Sequence, residues 1–212
     1  MSKFLKHKTE TRGEGRELYK TPQETIIKII EDLLVYDPSL KERLWIDPCA
    51  GDGIWEKTTK HLEIKWKSFD IHPLDKDTVE QKDFYAMEPF KEKIFIIGNP
   101  PFKQLKKFIK KSFELTDKCY FLGGSAGITG SLAPKVEMLH RFQDYDGKQK
   151  DKRSKLCFTT TNDEFFPIWC CGAIFNKELN NPKFEDDENG FAVSIFHKKS
   201  LNDKRMRVIF NG

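Results

Sequence analysis

The sequence predicts an α/β fold built on a mainly parallel sheet. Three observations lead there. Short continuous apolar runs, such as Ile94-Phe95-Ile96-Ile97 and Cys119-Tyr120-Phe121-Leu122, read as strands buried on both faces. Segments with helical apolar spacing alternate with them. Late in the chain, Ile168 to Phe175 and Phe191 to Phe196 flank the acidic, turn-rich Glu185-Asp186-Asp187-Glu188-Asn189-Gly190, which reads as a closing antiparallel pair.

Taken in order, residues 1–20 are polar and charged, with Gly13 and Gly15, and read as a mobile or ligand-ordered arm. Thr21-Pro22-Gln23-Glu24 suits a helix start: Thr21 can cap, Pro22 fits the first helical position, and Glu24 can reach back. Ile26, Ile30, Leu33 and Leu34 follow on one face, and Asp37-Pro38 ends the helix. Leu44-Trp45-Ile46 and Ile64 to Phe69 are strand candidates. Lys103 to Phe113 sets lysines against Leu105, Phe108, Ile109 and Phe113, an amphipathic helix. Gly123-Gly124-Ser125-Ala126-Gly127 is a loop or a lid. Trp169, Cys170 and Cys171 read as core strand residues. His140 and His197 show no partner pattern.

Composition narrows the class. The chain has 212 residues, 38% of them hydrophobic and 13% aromatic, enough for one domain with a substantial core. Its net charge of +4 is mildly basic and compatible with a nucleic-acid partner. Five cysteines, without a Cys-x-x-Cys pair, suggest neither a structural zinc site nor a disulfide framework. No apolar signal core opens the chain and no stretch approaches the ~20 apolar residues of a membrane span. The expectation is an intracellular protein, cytoplasmic or nuclear.

A ligand site is expected where Trp45-Ile46 runs into Asp47-Pro48-Cys49-Ala50-Gly51-Asp52-Gly53, because glycine lets backbone approach a ligand. The dinucleotide fingerprint asks for a third glycine three residues on, and Glu56 stands there, next to Trp55. That is a poor cradle for a pyrophosphate but tolerable for a phosphate-free ligand such as S-adenosylmethionine. Asp70, ending the next strand, can accept from both ribose hydroxyls. Asp83 can accept from an adenine amino group and Phe84 can stack on the ring. Singly, each has a plainer reading: Asp70 a loop or cap residue, Asp83 a turn residue, Phe84 core. Their order after a glycine loop favours the joint one.

Gly98-Asn99-Pro100-Pro101-Phe102 follows the apolar run at 94–97. Two prolines cannot continue a ladder, so the chain turns here. Asn-Pro is a common turn, but an aromatic directly after Asn-Pro-Pro at a strand's C-terminal edge also suits a particular chemistry. The exocyclic amine of adenine is a poor nucleophile, its lone pair delocalised into the ring. The Asn99 side-chain oxygen and the Pro100 carbonyl can accept its two N–H bonds, and Phe102 can stack on the base. Transfer is then catalysed by positioning and electrostatics, with no metal required.

On these four stretches the sequence resembles the class I S-adenosylmethionine-dependent amino-methyltransferases, most of all the DNA N6-adenine enzymes with an Asn-Pro-Pro-aromatic motif. Tyr19-Lys20-Thr21-Pro22 is similar to their N-terminal cofactor motif, 47–53 to their glycine loop, Asp70-Ile71 and Asp83-Phe84 to their ribose and adenine positions, and Asn99 to Phe102 to their catalytic motif. The likeness covers roughly residues 17–125. It implies a Rossmann-like, mainly parallel seven-stranded sheet with an antiparallel closing hairpin and helices on both faces. It implies one methyltransferase domain over residues 21–212, with any target-recognition insertion within about 125–165. The catalytic residues it implies are Asn99, Pro100, Pro101 and Phe102. For S-adenosyl-L-methionine they are Tyr19, Thr21, Pro22, Asp47, Pro48, Cys49, Ala50, Gly51, Gly53, Asp70, Ile71, Asp83 and Phe84. The implied partner is nucleic acid, DNA before RNA.

Lys148, Lys150, Lys152, Arg153 and Lys155 form a basic stretch after Gly147, either a solvated loop or a phosphate-contacting one. Lys103 after the catalytic motif could also face a backbone. Lys106, Lys107, Lys110 and Lys111 read as the polar face of their helix, or as further phosphate contacts. RNA base amines and protein glutamine amides are acceptors for the same motif, since both are planar amines. A non-catalytic nucleic-acid-binding protein with this fold is the reading from another class.

Overall fold

The computed structural model describes residues 21–124, 128, 132–144 and 170–180, with short strands at 10–12, 16–18, 158–159, 165–166 and 206–211. In chain order the strands and helices are β1 (Glu10–Arg12), β2 (Arg16–Leu18), α1 (Gln23–Tyr36), β3 (Leu44–Asp47), α2 (Ile54–Thr59), β4 (Trp66–Asp70), β5 (Glu80–Gln81), β6 (Ile94–Gly98), α3 (Leu105–Leu115), β7 (Lys118–Gly124), β8 (Val136–Asp144), β9 (Phe158–Thr159), β10 (Phe165–Phe166), β11 (Cys170–Asn176) and β12 (Met206–Asn211).

One sheet carries the fold, in the order β12-β8-β11-β7-β6-β3-β4-β5. Strands β3 to β7 run parallel, and β11 lies antiparallel between β7 and β8. This is the expected mainly parallel sheet of seven strands with an antiparallel pair. An eighth strand, β12, extends it by pairing parallel to β8. The expected strand at 191–196 lies outside the described residues. The observed antiparallel partner of β11 at the far edge is instead β8.

Strand alternation explains the two-sided core. Trp45, Phe95, Ile97, Tyr120 and Leu122 face α1 and α2, meeting Ile26, Ile29, Ile30, Leu33 and Trp55. Their sequence neighbours Leu44, Ile46, Ile94, Ile96 and Phe121 face the other way, meeting Leu105, Phe108 and Ile109 of α3. Each of the four α1 side chains is fully buried, worth about 1.5–3 kcal/mol apiece. Helices therefore cover both faces, and the strand runs read as apolar throughout because neither face meets water. No helix among the described residues is long and apolar enough to cross a membrane.

The start of α1 departs from expectation. Pro22 itself is the N-cap, in extended geometry with no side-chain cap bond, and its carbonyl accepts from Ile26 N at 3.0 Å. Thr21, 3% exposed, is turned elsewhere. α1 is tied to the sheet through a buried polar group. His140 on β8 is fully buried, with Nε2 2.9 Å from Asp32 Oδ2 on α1 and Nδ1 2.9 Å from the Tyr120 hydroxyl on β7.

Candidate active site

The parallel strands β6, β3, β4 and β5 are neighbours in that order, so their C-terminal ends form one row. The row carries Asn99, the glycine loop, Asp70 and Asp83. Between β6 and β3 the strand order reverses, and a crevice opens there in doubly wound sheets.

The glycine loop is held from below. Asp47 is 1% exposed, and its Oδ1 accepts from the backbone N–H of Cys49 at 3.1 Å. Burial, helped by nearby Asp70, pushes the Asp47 carboxyl up to about 8. Its carboxyl thus braces the loop from behind through Oδ1. Gly51 and Gly53 have φ of 60° and 74°, the left-handed region that glycine enters without strain. A side chain at Gly98 would bring its Cβ to 2.7 Å from Asp47 Oδ1 and 3.2 Å from Cys49 Sγ, so the Asn99 to Phe102 turn and the loop meet at van der Waals distance only because residue 98 is glycine.

Asp70 is 6% exposed and binds the loop from the other side. Its Oδ2 accepts from Gly51 N at 2.9 Å and its Oδ1 from His72 N at 2.8 Å. Ile71, beside it, is 53% exposed, an uncommon position for a large apolar side chain. Asp83 is exposed and caps a short turn by accepting from Tyr85 N at 2.9 Å.

Phe84 needs correction as a stacking platform. It is 3% exposed and stacks on Phe108 of α3, ring centroids 5.1 Å apart, so its ring belongs to the core. The exposed aromatic is its neighbour Tyr85, whose hydroxyl donates to Gln104 Oε1 at 3.2 Å. A glycine loop, an aspartate and an aromatic are readable in sequence, but which of two adjacent aromatics faces out depends on where α3 packs.

The Asn99 to Phe102 turn sits where expected. Its end is closed by Gln104 N donating to the Pro101 carbonyl at 2.8 Å. Pro100 is buried, while Pro101 and Phe102 are half-buried, Phe102 packing against the α1 side of the core. The backbone N–H of Asn99 is directed at the Cys49 sulfur, and its side-chain Nδ2 donates to Thr21 Oγ1 at 3.2 Å. Burial and the neighbouring Asp47 raise the Cys49 thiol well above its ordinary value, so it serves as packing and acceptor. Three sequence stretches, 21–22, 47–53 and 98–102, therefore converge on one asparagine. Ala50 is buried in the loop, with its N–H on the Phe69 carbonyl at 2.9 Å, and Pro48 is buried beside it.

Lys103 is exposed just beyond the turn, and Lys106, Lys107 and Lys110 continue the exposed face of α3. Tyr19, Lys148, Lys150, Lys152, Arg153 and Lys155 lie outside the described residues.

Comparison with known proteins agrees on the fold. A protein from Pyrococcus horikoshii, described provisionally as an RNA methyltransferase, superposes with a TM-score of 0.53 at 16% identity, over 76% of this chain and 87% of its own. The methyltransferase subunit of a type I restriction-modification system from Streptococcus thermophilus gives 0.49 at 10% identity, over 77% of this chain and 46% of its own. Magnesium protoporphyrin IX methyltransferase from Synechocystis PCC 6803, solved with S-adenosylmethionine bound, gives 0.47 at 13% identity, over 74% and 79%. No protein-family model and no curated protein matches the sequence. The first of these superpositions shows the Rossmann-like fold of the methyltransferases, and at such identity the chemistry must be argued from the site.

Proposed function

We propose that the chain is an S-adenosylmethionine-dependent N-methyltransferase acting on the exocyclic N6 amine of adenine in DNA. The observation that carries this reading is the setting of Asn99: at the C-terminal end of β6, beside the glycine loop, with its amide nitrogen turned onto Thr21.

The residues present suit the cofactor. Two left-handed glycines allow close backbone approach. Asp70 Oδ2 accepts from Gly51 N and Oδ1 from His72 N, and a carboxylate beside the glycine loop suits a ribose hydroxyl as a further donor. Exposed Ile71 offers an apolar face for adenine. Glu56 in the first turn of α2, with Oε2 accepting from Ser68 at 2.7 Å, opposes a pyrophosphate and not a phosphate-free ligand.

S-adenosylmethionine supplies the electrophile, a methyl group on a sulfonium. The protein orients the acceptor. Asn99 Oδ1 and the Pro100 carbonyl accept the two amine N–H bonds, which draws the nitrogen lone pair out of conjugation. Phe102 bears on the flipped base. With the cofactor bound, the nitrogen would gain the methyl group as the methyl–sulfur bond breaks, and its surplus proton would pass to water. Asn99 Oδ1 lies out of solvent, where such hydrogen bonds are strengthened.

The test is incubation of the full chain with labelled S-adenosylmethionine and mixed-sequence DNA, RNA or protein, followed by hydrolysis. N6-methyladenine from DNA is expected. Label only in RNA or in glutamine would keep the chemistry and overturn the substrate; no label anywhere would overturn both.

A further inference from the structure

We infer that Thr21 is a positioning residue for the transfer step, holding the Asn99 amide where its oxygen meets the acceptor amine. The inference rests on the function proposed above and assigns Thr21 a task other than helix capping or cofactor contact.

The two ends of an asparagine amide have nearly the same shape and opposite hydrogen-bonding character. An amine that is to be methylated presents N–H bonds, so it needs Oδ1. If the side chain turned over, Nδ2 would present donors to donors, and the acceptor would lose both orientation and activation. Thr21 Oγ1 takes the Nδ2 donor at 3.2 Å, which places Oδ1 on the opposite lobe. The hydroxyl is well placed to hold it. Thr21 is 3% exposed, so water competes little for this bond. Its backbone is fixed by Pro22, the N-cap of α1, and α1 is fixed by Ile26, Ile29, Ile30 and Leu33 in the core. On the other side, the Asn99 backbone N–H is directed at Cys49 Sγ. Asn99 is thus held at its backbone by the glycine loop and at Nδ2 by the start of α1.

Thr21→Val keeps the shape and removes the acceptor; Thr21→Ser keeps the acceptor. Steady-state methylation of mixed-sequence DNA is expected to fall about tenfold or more in kcat for Thr21→Val, as loss of one orienting hydrogen bond implies. S-adenosylmethionine affinity by calorimetry should stay within about threefold, and Thr21→Ser should recover most of the rate. Weakened cofactor binding with kcat intact would make Thr21 a cofactor contact and overturn the inference, as would a kcat within about twofold of the parent. The side-chain amide protons of Asn99, assigned by NMR, give a readout independent of activity. They should be protected from exchange in the parent and in Thr21→Ser, and exposed in Thr21→Val. If the parent methylates no amine at all, the proposed function falls. Equal protection in all three proteins would then still overturn the contact.

Discussion

His140 Nε2 lies 2.9 Å from Asp32 Oδ2, joining a fully buried strand residue to the helix that begins at the active site. The other imidazole nitrogen meets Tyr120 at 2.9 Å, and that tyrosine needs Gly172 opposite it: a Cβ there would fall 1.8 Å from the hydroxyl. Removing one partner leaves a buried polar group unmet, which costs about 1–3 kcal/mol. His140→Phe and Asp32→Ala are each expected to lose stability of that order in urea unfolding. Gly172→Ala is expected to do at least as much damage, because Tyr120 has to move. Unchanged midpoints would show that the trio adds nothing to the fold.

Asp47 makes stability depend on pH. An ordinary aspartate titrates near ~4, whereas Asp47 in the fold holds its proton up to about 8. Between those values the native state binds more protons than the unfolded chain, so stability falls as pH rises. Asp75 and Asp117, held at about 2 chiefly by hydrogen bonds from Lys57 and Arg43, are ionised in both states there and contribute no slope. Melting temperatures measured from about pH 5 to about pH 9 should decline for the parent and be flatter for Asp47→Asn. A level parent profile would remove Asp47 from this account.

Asp70 serves two backbone N–H groups on different loops. An asparagine offers one oxygen, so Asp70→Asn must leave either Gly51 or His72 facing an amide nitrogen. The expected result is a loss of about 1–3 kcal/mol in stability. Calorimetry should also find S-adenosylmethionine affinity at least about tenfold lower. Normal affinity in a destabilised variant would confine Asp70 to loop architecture.

Lys103, Lys106, Lys107 and Lys110 recur at helical spacing on the exposed side of the segment that follows the catalytic turn. If they face phosphates, changing all four to Gln weakens DNA binding and lowers the slope of log affinity against log salt by about 0.9 per lost contact. An unaltered slope would return them to plain solvation of α3.

Local pattern and tertiary environment agree in the buried strands. Ile94 to Ile97 and Cys119 to Leu122 are apolar without interruption because both faces of β6 and β7 are covered, and they fold as strands. The strand read at Ile64 to Phe69 is shifted to Trp66–Asp70, with Ile64 buried just before it. β8 escaped notice because Glu137 and His140 interrupt its apolar pattern. Both are satisfied by distant partners, Glu137 by Tyr36, Lys118 and Asn176, His140 by Asp32 and Tyr120.

The same reason hid the contact of Thr21 with Asn99. Followed by Pro and three residues before Glu24, it has the local signature of a cap. Its partner lies 78 residues away. The glycine loop, Asp70 and Asn99 were legible because each is a residue type demanded at a strand end. Phe84 and Tyr85 could not be ranked until α3 claimed one ring.

The position of β11 has a consequence for synthesis. It lies between β7 and β8, both of which precede it in the chain. A growing chain that has made only those two must keep them apart, with the outer edge of β7 and both edges of β8 unpaired, until residues 170–176 arrive to fill the slot. Unpaired edges invite association with other chains. That exposed stage begins only after the row of strand ends from β3 to β6, with Asn99 and the glycine loop, has already been made.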